Sequence, residues 1–132
     1  MISKYNLFVD DIRYPNDVTW VNLPKDQHYT VVRNYQEFVD IITLRGVPQF
    51  VSLDHDLGIS SYSEYFNSVK NGYINYENIC EMTGLDCAKY LINYCIEKDF
   101  QFPKYVVHSM NPIGKQNIIS LIESFKKINI SL

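Results

Sequence analysis

Apolar residues fall in short unbroken runs separated by stretches with a helical period. Tyr5-Asn6-Leu7-Phe8-Val9 is such a run and stops at Asp10-Asp11. Tyr29-Thr30-Val31-Val32 leads to Arg33, Gln49-Phe50-Val51-Ser52-Leu53 to Asp54, and Lys104-Tyr105-Val106-Val107 to His108-Ser109. Short runs without polar alternation predict strands buried on both faces, as in a parallel sheet. Between them, Asn34 with Glu37 three residues on reads as a capping box opening a helix that ends at Gly46. Thr83 caps a predicted helix over residues 83–97, with Leu85, Ala88, Leu91, Ile92 and Cys95 on one stripe. A last helix over 115–127 buries Ile118, Leu121, Ile122 and Phe125.

Strands alternating with helices predict an α/β fold with a parallel sheet and right-handed crossovers. Residues 12–28 hold Pro15, Trp20 and Pro24 without a helical period, so an irregular first crossover is expected. Residues 59–82 are rich in Ser, Tyr and Asn and fit neither period well; a short helix over 62–69 is expected within this insertion. No repeat, linker or second domain is visible, and residues 1–132 read as one domain.

Composition narrows the classes. With 46% hydrophobic and 20% charged residues the chain is of ordinary globular type, and 132 residues bury a core without metal or disulfide staples. A formal net charge of -3 argues against an extended DNA-binding face, although a single phosphate needs only a local basic pocket. No apolar run approaches the roughly 20 residues that span a bilayer. Cys80, Cys87 and Cys95 form no Cys-x-x-Cys pair, and the latter two read as buried free thiols, so a reducing cytoplasm is the expected location.

The chemistry concentrates at the strand ends. Ligands of open parallel sheets bind beyond the carboxyl ends of the strands. Asp10, Asp11, Asp54 and Asp56 converge there, and so many carboxylates stay ionised together only beside a cation. Hard oxygen ligands in that number suit Mg²⁺ or Mn²⁺. His55 and His108 add proton-transfer groups, and Arg13, Arg33 and Lys115 are candidates to balance a bound phosphate, with Gly114-Lys115 opening a helix whose free amides favour an anion. Plainer roles stand beside these: Asp10-Asp11 as a turn cap, His55 orienting a carboxylate, Asn111-Pro112 as a turn device, Arg33 as a structural partner, and His28 as a surface residue.

Leu7-Phe8-Val9-Asp10-Asp11-Ile12-Arg13-Tyr14-Pro15, Ser52-Leu53-Asp54-His55-Asp56-Leu57-Gly58, Thr83-Gly84-Leu85-Asp86 and Val107-His108-Ser109-Met110-Asn111-Pro112-Ile113-Gly114 together resemble the receiver-like family named for cyclic-phosphate processing. The resemblance implies a flavodoxin-like three-layer sandwich, with a mainly parallel sheet of about four strands in the order 2-1-3-4. It implies a divalent metal at Asp10, Asp11 and Asp54, with Asp56, His108, Ser109 and Asn111 as active-site positions. The expected activity is a metal-dependent phosphoesterase acting on cyclic phosphates of nucleotides or RNA ends. In that reading Asp54, His55, His108 and Ser109 are catalytic, and Arg13, Arg33, Asn111 and Lys115 bind phosphate. The alternative is a phospho-switch or a cyclic-nucleotide-binding module. A phosphoacceptor receiver also needs a Lys after a fifth strand, and the chain beyond Ser109 has room only for a helix.

Overall fold

A computed structural model describes residues 4–130. Four parallel strands, β1 (Asn6–Val9), β2 (Tyr29–Val32), β3 (Phe50–Leu53) and β4 (Lys104–Val107), form one sheet in the order β2-β1-β3-β4. Val9 pairs with both Val32 and Leu53, and Leu53 pairs with Val107. All four strands therefore end on one row, and the receiver/flavodoxin-like arrangement expected from the sequence is the one observed.

The two sheet faces are covered differently. Leu7, Val9, Val51, Leu53 and Val107 point toward α1 (Tyr35–Arg45), α3 (Gly84–Lys98) and α4 (Pro112–Ile130), meeting Phe38, Ile42, Leu91, Ile118 and Ile122 in the main core. Full burial of each such side chain contributes about 1.5–3 kcal/mol. Cys87 and Cys95 lie in this core as free thiols. Phe8 points the other way, against Val18 and Leu23 of the first crossover. That crossover is irregular, as its prolines foretold, with only a 3-10 turn at Pro15–Asp17. The layer on this face is thus extended chain where helices would ordinarily lie.

Local signals explain most helix ends. Asn34 accepts the Glu37 amide at the start of α1, while the Glu37 carboxylate takes the amide of Arg33. Thr83 and Asp86 form a capping box on α3. The last helix starts three residues before the expected position. Pro112 occupies its first turn, where a missing N–H costs nothing, and Asn111 Oδ1 accepts the Gly114 amide at 3.0 Å. The helix of the insertion, α2 (Ile59–Asn71), is longer than expected and is followed by a 3-10 turn at Tyr76–Asn78. Among the described residues no helix is long and apolar enough to cross a membrane.

Candidate functional site

The sheet ladder continues one residue past the strands. The amides of Asp10, Asp54 and His108 donate to the carbonyls of Val32, Val9 and Leu53 at 3.2, 2.9 and 2.9 Å. Backbone pairing therefore sets Asp10, Asp54 and His108 side by side, all three buried. One ligand atom from each lies within 4.8 Å of the others, so this group could hold a metal ion.

Asp10 is the best-supported member of this row. Its Oδ1 accepts the amides of Ile12 and Arg13 at 3.0 and 2.8 Å, which folds the loop after β1. Its Oδ2 accepts from His108 Nε2 at 2.9 Å. Burial alone raises its pKa, but the bonds from His108 and the two amides outweigh that and hold the carboxyl down at about 2. Burial holds the His108 pKa below its ordinary value despite Asp10. The neutral ring gives its Nε2 proton to Asp10 and accepts the Ser52 hydroxyl at Nδ1, 2.6 Å away. It stacks on Phe8 at 4.6 Å, and Trp20 Nε1 donates to its carbonyl.

Asp54 has the opposite balance. Burial, then the neighbouring charges of Asp10 and Asp56, push its pKa up to about 8, against the lowering effect of the His55 amide and Arg13. Asp11 is raised as well, by burial and by Asp10. Among the described residues the cation paired with these carboxylates is Arg13, whose Nη1 lies 3.6 Å from Asp10 and 3.9 Å from Asp54. The donor set is oxygen-rich, negatively charged and only partly compensated, and it fits a hard divalent cation.

A second histidine–aspartate pair follows Asp54 directly in the chain. His55 Nδ1 is 2.6 Å from Asp56 Oδ1, and its Nε2 is 2.9 Å from the Tyr76 hydroxyl, which also accepts from Asn117 at 3.0 Å. The ring is fully buried, and two glycines make room for this packing. A Cβ on Gly114 would lie 2.4 Å from the His55 ring, and one on Gly84 only 1.7 Å from the Asp54 carbonyl oxygen. Asn111 Nδ2 reaches both oxygens of Asp56 at 3.3 and 3.4 Å.

A cleft of about 350 Å³ opens over this row, lined by Asp11, Arg13, Asp54, Asp56, Ser109 and Asn111 among others. Those six sequence candidates share one pocket. Asp10, His55 and His108 do not line it; each has protein partners, and each histidine is bonded to a carboxylate. Arg33 is turned elsewhere: it donates to the carbonyls of Asp10 and Arg13 and lies over the Tyr14 ring, fixing the β1 loop. Lys115 lies in the first turn of α4 and does not line the cleft. Contrary to the expectation of free amides there, those of Gly114 and Lys115 are taken by Asn111. His28 is exposed, as expected.

Sequence reasoning missed several contributors. Tyr62 and Tyr65 of α2 form part of the cleft wall, which brings the insertion to the site. Ser52 and Tyr76 bond ring nitrogens of His108 and His55, and Trp20 ties down the His108 backbone carbonyl. Ser52 carried a usable signal, being a hydroxyl in the middle of a buried apolar strand, where it must find a partner.

The model of the family described as the cyclic-phosphate processing receiver domain matches residues 5–124. No curated protein and no solved structure matches the chain. The matched span runs from β1 into α4 and takes in every residue of the acidic row and both of its histidine supports, and the chain belongs to the cyclic-phosphate processing receiver family.

Proposed function

We propose that the cleft is the active site of a metal-dependent phosphoesterase that opens cyclic phosphates on nucleotides or RNA ends. The observation that carries this reading is the two His–Asp couples beside the charge-stressed Asp54, His108–Asp10 wholly buried and His55–Asp56 with its carboxylate at the cleft. Asp10, Asp11 and Asp54 would hold Mg²⁺ or Mn²⁺. Such an ion, when bound, would offset the charge of the phosphoryl oxygens and leave the phosphorus more open to attack.

The chain's own groups supply the rest. Asp56 faces the cleft with His55 behind it, and this couple is placed to take or return the proton of water or of a leaving oxygen. His108 keeps Asp10 ionised and fixed. Ser109 and Asn111 offer a hydroxyl and an amide to the phosphate, and Arg13 offsets its charge. A phospho-switch on Asp54 fits less well. Among the described residues the sheet has four strands, and Lys115 is not at the cleft to serve as the cation such a switch uses.

A panel of cyclic phosphates with and without Mg²⁺ or Mn²⁺, followed by phosphorus NMR, tests the proposal. Hydrolysis should require the metal, vanish in Asp54→Asn and fall about 10²–10⁴-fold in Asp56→Asn. Undiminished turnover by Asp54→Asn would reject it. A stable phosphoryl adduct without turnover would favour the switch.

A further inference from the structure

The second helix is built inside out. Its buried side chains are Ser61, Glu64 and Ser68, which are 1%, 2% and 0% exposed. They are held by polar contacts. Glu64 accepts from Asn67, from Asn78 and from the Asn75 amide at 3.1, 2.9 and 2.9 Å. The Ser68 hydroxyl donates to the Tyr65 carbonyl at 2.7 Å, and Ser61 gives its amide to Glu81. The large apolar side chains face out instead. Ile59 is 87% exposed, Tyr62 59%, Phe66 58% and Val69 65%. An ordinary surface helix has the reverse arrangement, and a contiguous exposed apolar stripe marks a contact surface.

The spacing of this stripe indicates what covers it. The four positions recur at intervals of three, four and three residues, the knob spacing of a helix pair. That spacing reads the same in both directions. Two copies of α2 laid antiparallel about a two-fold axis would set Ile59 against Val69 of the other copy and Tyr62 against Phe66, aliphatic on aliphatic and aromatic on aromatic. A two-fold contact requires a patch complementary to itself, and a palindromic apolar stripe is one. None of the four positions is charged. Of the two charged residues in the helix, Glu64 is turned inward and only Lys70 remains in solvent. From aromatic side chains of roughly 150–250 Å², the stripe offers on the order of 500 Å² per copy. A pair would bury about 1,000 Å², at the lower limit for a specific interface.

We propose that this protein self-associates into a two-fold dimer through antiparallel pairing of α2. The inference is independent of the reading of the acidic cleft. Because Tyr62 belongs to both the stripe and the cleft wall, pairing would also fix one wall of the cleft. Sedimentation of the full chain over a range of concentrations tests it, with reductant present because Cys80 is exposed. The wild type should show a concentration-dependent monomer–dimer equilibrium. Phe66→Glu and Val69→Glu should each weaken dimerisation at least tenfold while keeping the far-UV circular dichroism of the wild type, and Asn93→Glu on exposed α3 surface should not. A wild type that stays monomeric into the hundreds of micromolar range would overturn the proposal. So would a dimer insensitive to both stripe variants, or a monomer whose stripe instead binds phosphatidylcholine vesicles. If either stripe variant misfolds, a spin label on Ser63→Cys in a chain that also carries Cys80→Ser, with the stripe itself unchanged, decides between pairing and its absence. A short label-to-label distance supports the antiparallel dimer, and the lack of one sinks it.

Discussion

His108 shows how one side chain can serve a site without facing it. Its ring joins Ser52 to Asp10 and stacks on Phe8, all within the sealed face of the sheet. Replacing it with Leu keeps much of the volume but leaves the Ser52 hydroxyl and a buried carboxylate without their partner. A buried polar group so stranded costs about 1–3 kcal/mol, more when it is charged. His108→Leu should therefore lower stability by about 3 kcal/mol in urea denaturation and weaken Mg²⁺ binding, because Asp10 then loses one of the bonds that hold it ionised. A variant as stable as wild type would show that Asp10 finds other support. The sequence placed this histidine at the right edge but not its direction. Strand alternation settles that: Phe8, Asp10, Ser52, Val106 and His108 share the face away from the helices, which depends on register and so on pairing between distant segments. For Arg33 the sequence left a structural role beside a phosphate-binding one, and which partners it takes depends on the fold in the same way. Its partners are carbonyls of the β1 loop, whose path is set by Asp10 accepting the amides of Ile12 and Arg13.

At the scale of elements, α1 and α3 were readable because capping residues and an inward apolar stripe agreed with one another. The insertion helix was only half legible, since its apolar residues face outward and its inward face is serine and glutamate. Its start is equally unusual. Gly58 precedes it and provides no side-chain cap, and the missing cap comes from twenty residues away. Glu81 accepts the Ser60 hydroxyl and the Ser61 amide, which also places a negative charge at the positive end of the helix. Burial raises the Glu81 pKa, but these bonds outweigh it and hold the carboxyl below its ordinary value. Glu81→Ala should thus loosen this one element by about 1 kcal/mol, the usual worth of an N-terminal cap. Amide exchange would quicken across residues 59–71 while the core strands keep their protection. Equal acceleration throughout the chain would mean that the helix does not open as a separate unit. Because Tyr62 and Tyr65 ride on it, the same change should raise KM for any substrate that reaches them.

For the molecule as a whole, the alternation of strands and helices predicted a parallel sheet, the family resemblance its order, and the common row of strand ends the candidate site. What pairing adds is a concentration of like charge, and this makes global stability a reporter of the site. Without metal, the Asp54 pKa is about 8 in the folded protein against 3.8 as a free carboxyl, so the folded state holds more protons than the unfolded one between those values. A raised pKa contributes stability that is complete below about pH 4 and is lost as pH climbs through about 8. Asp11, shifted upward as well, acts in the same sense, whereas Asp10, held at about 2, makes its contribution above its unfolded value and loses it only in strong acid. In EDTA the melting temperature should therefore decline from pH 5 to pH 8. A divalent cation bound as proposed should reverse the sign of this dependence, because it would bind the ionised carboxylates and compete with protons for them. At a hundredfold excess over Kd it would add about 2.7 kcal/mol, on the order of 5–10 °C in Tm. The gain should be larger at pH 8 than at pH 5. Asp54→Asn should flatten most of the EDTA profile and abolish most of the metal effect together, since Asp54 carries the larger upward shift and is one of the proposed ligands. Thermal melts at three pH values, with EDTA, Mg²⁺ and Mn²⁺, read this directly. If Mg²⁺ and Mn²⁺ leave Tm unmoved at pH 8, the row of aspartates is balanced by Arg13 alone and holds no cation.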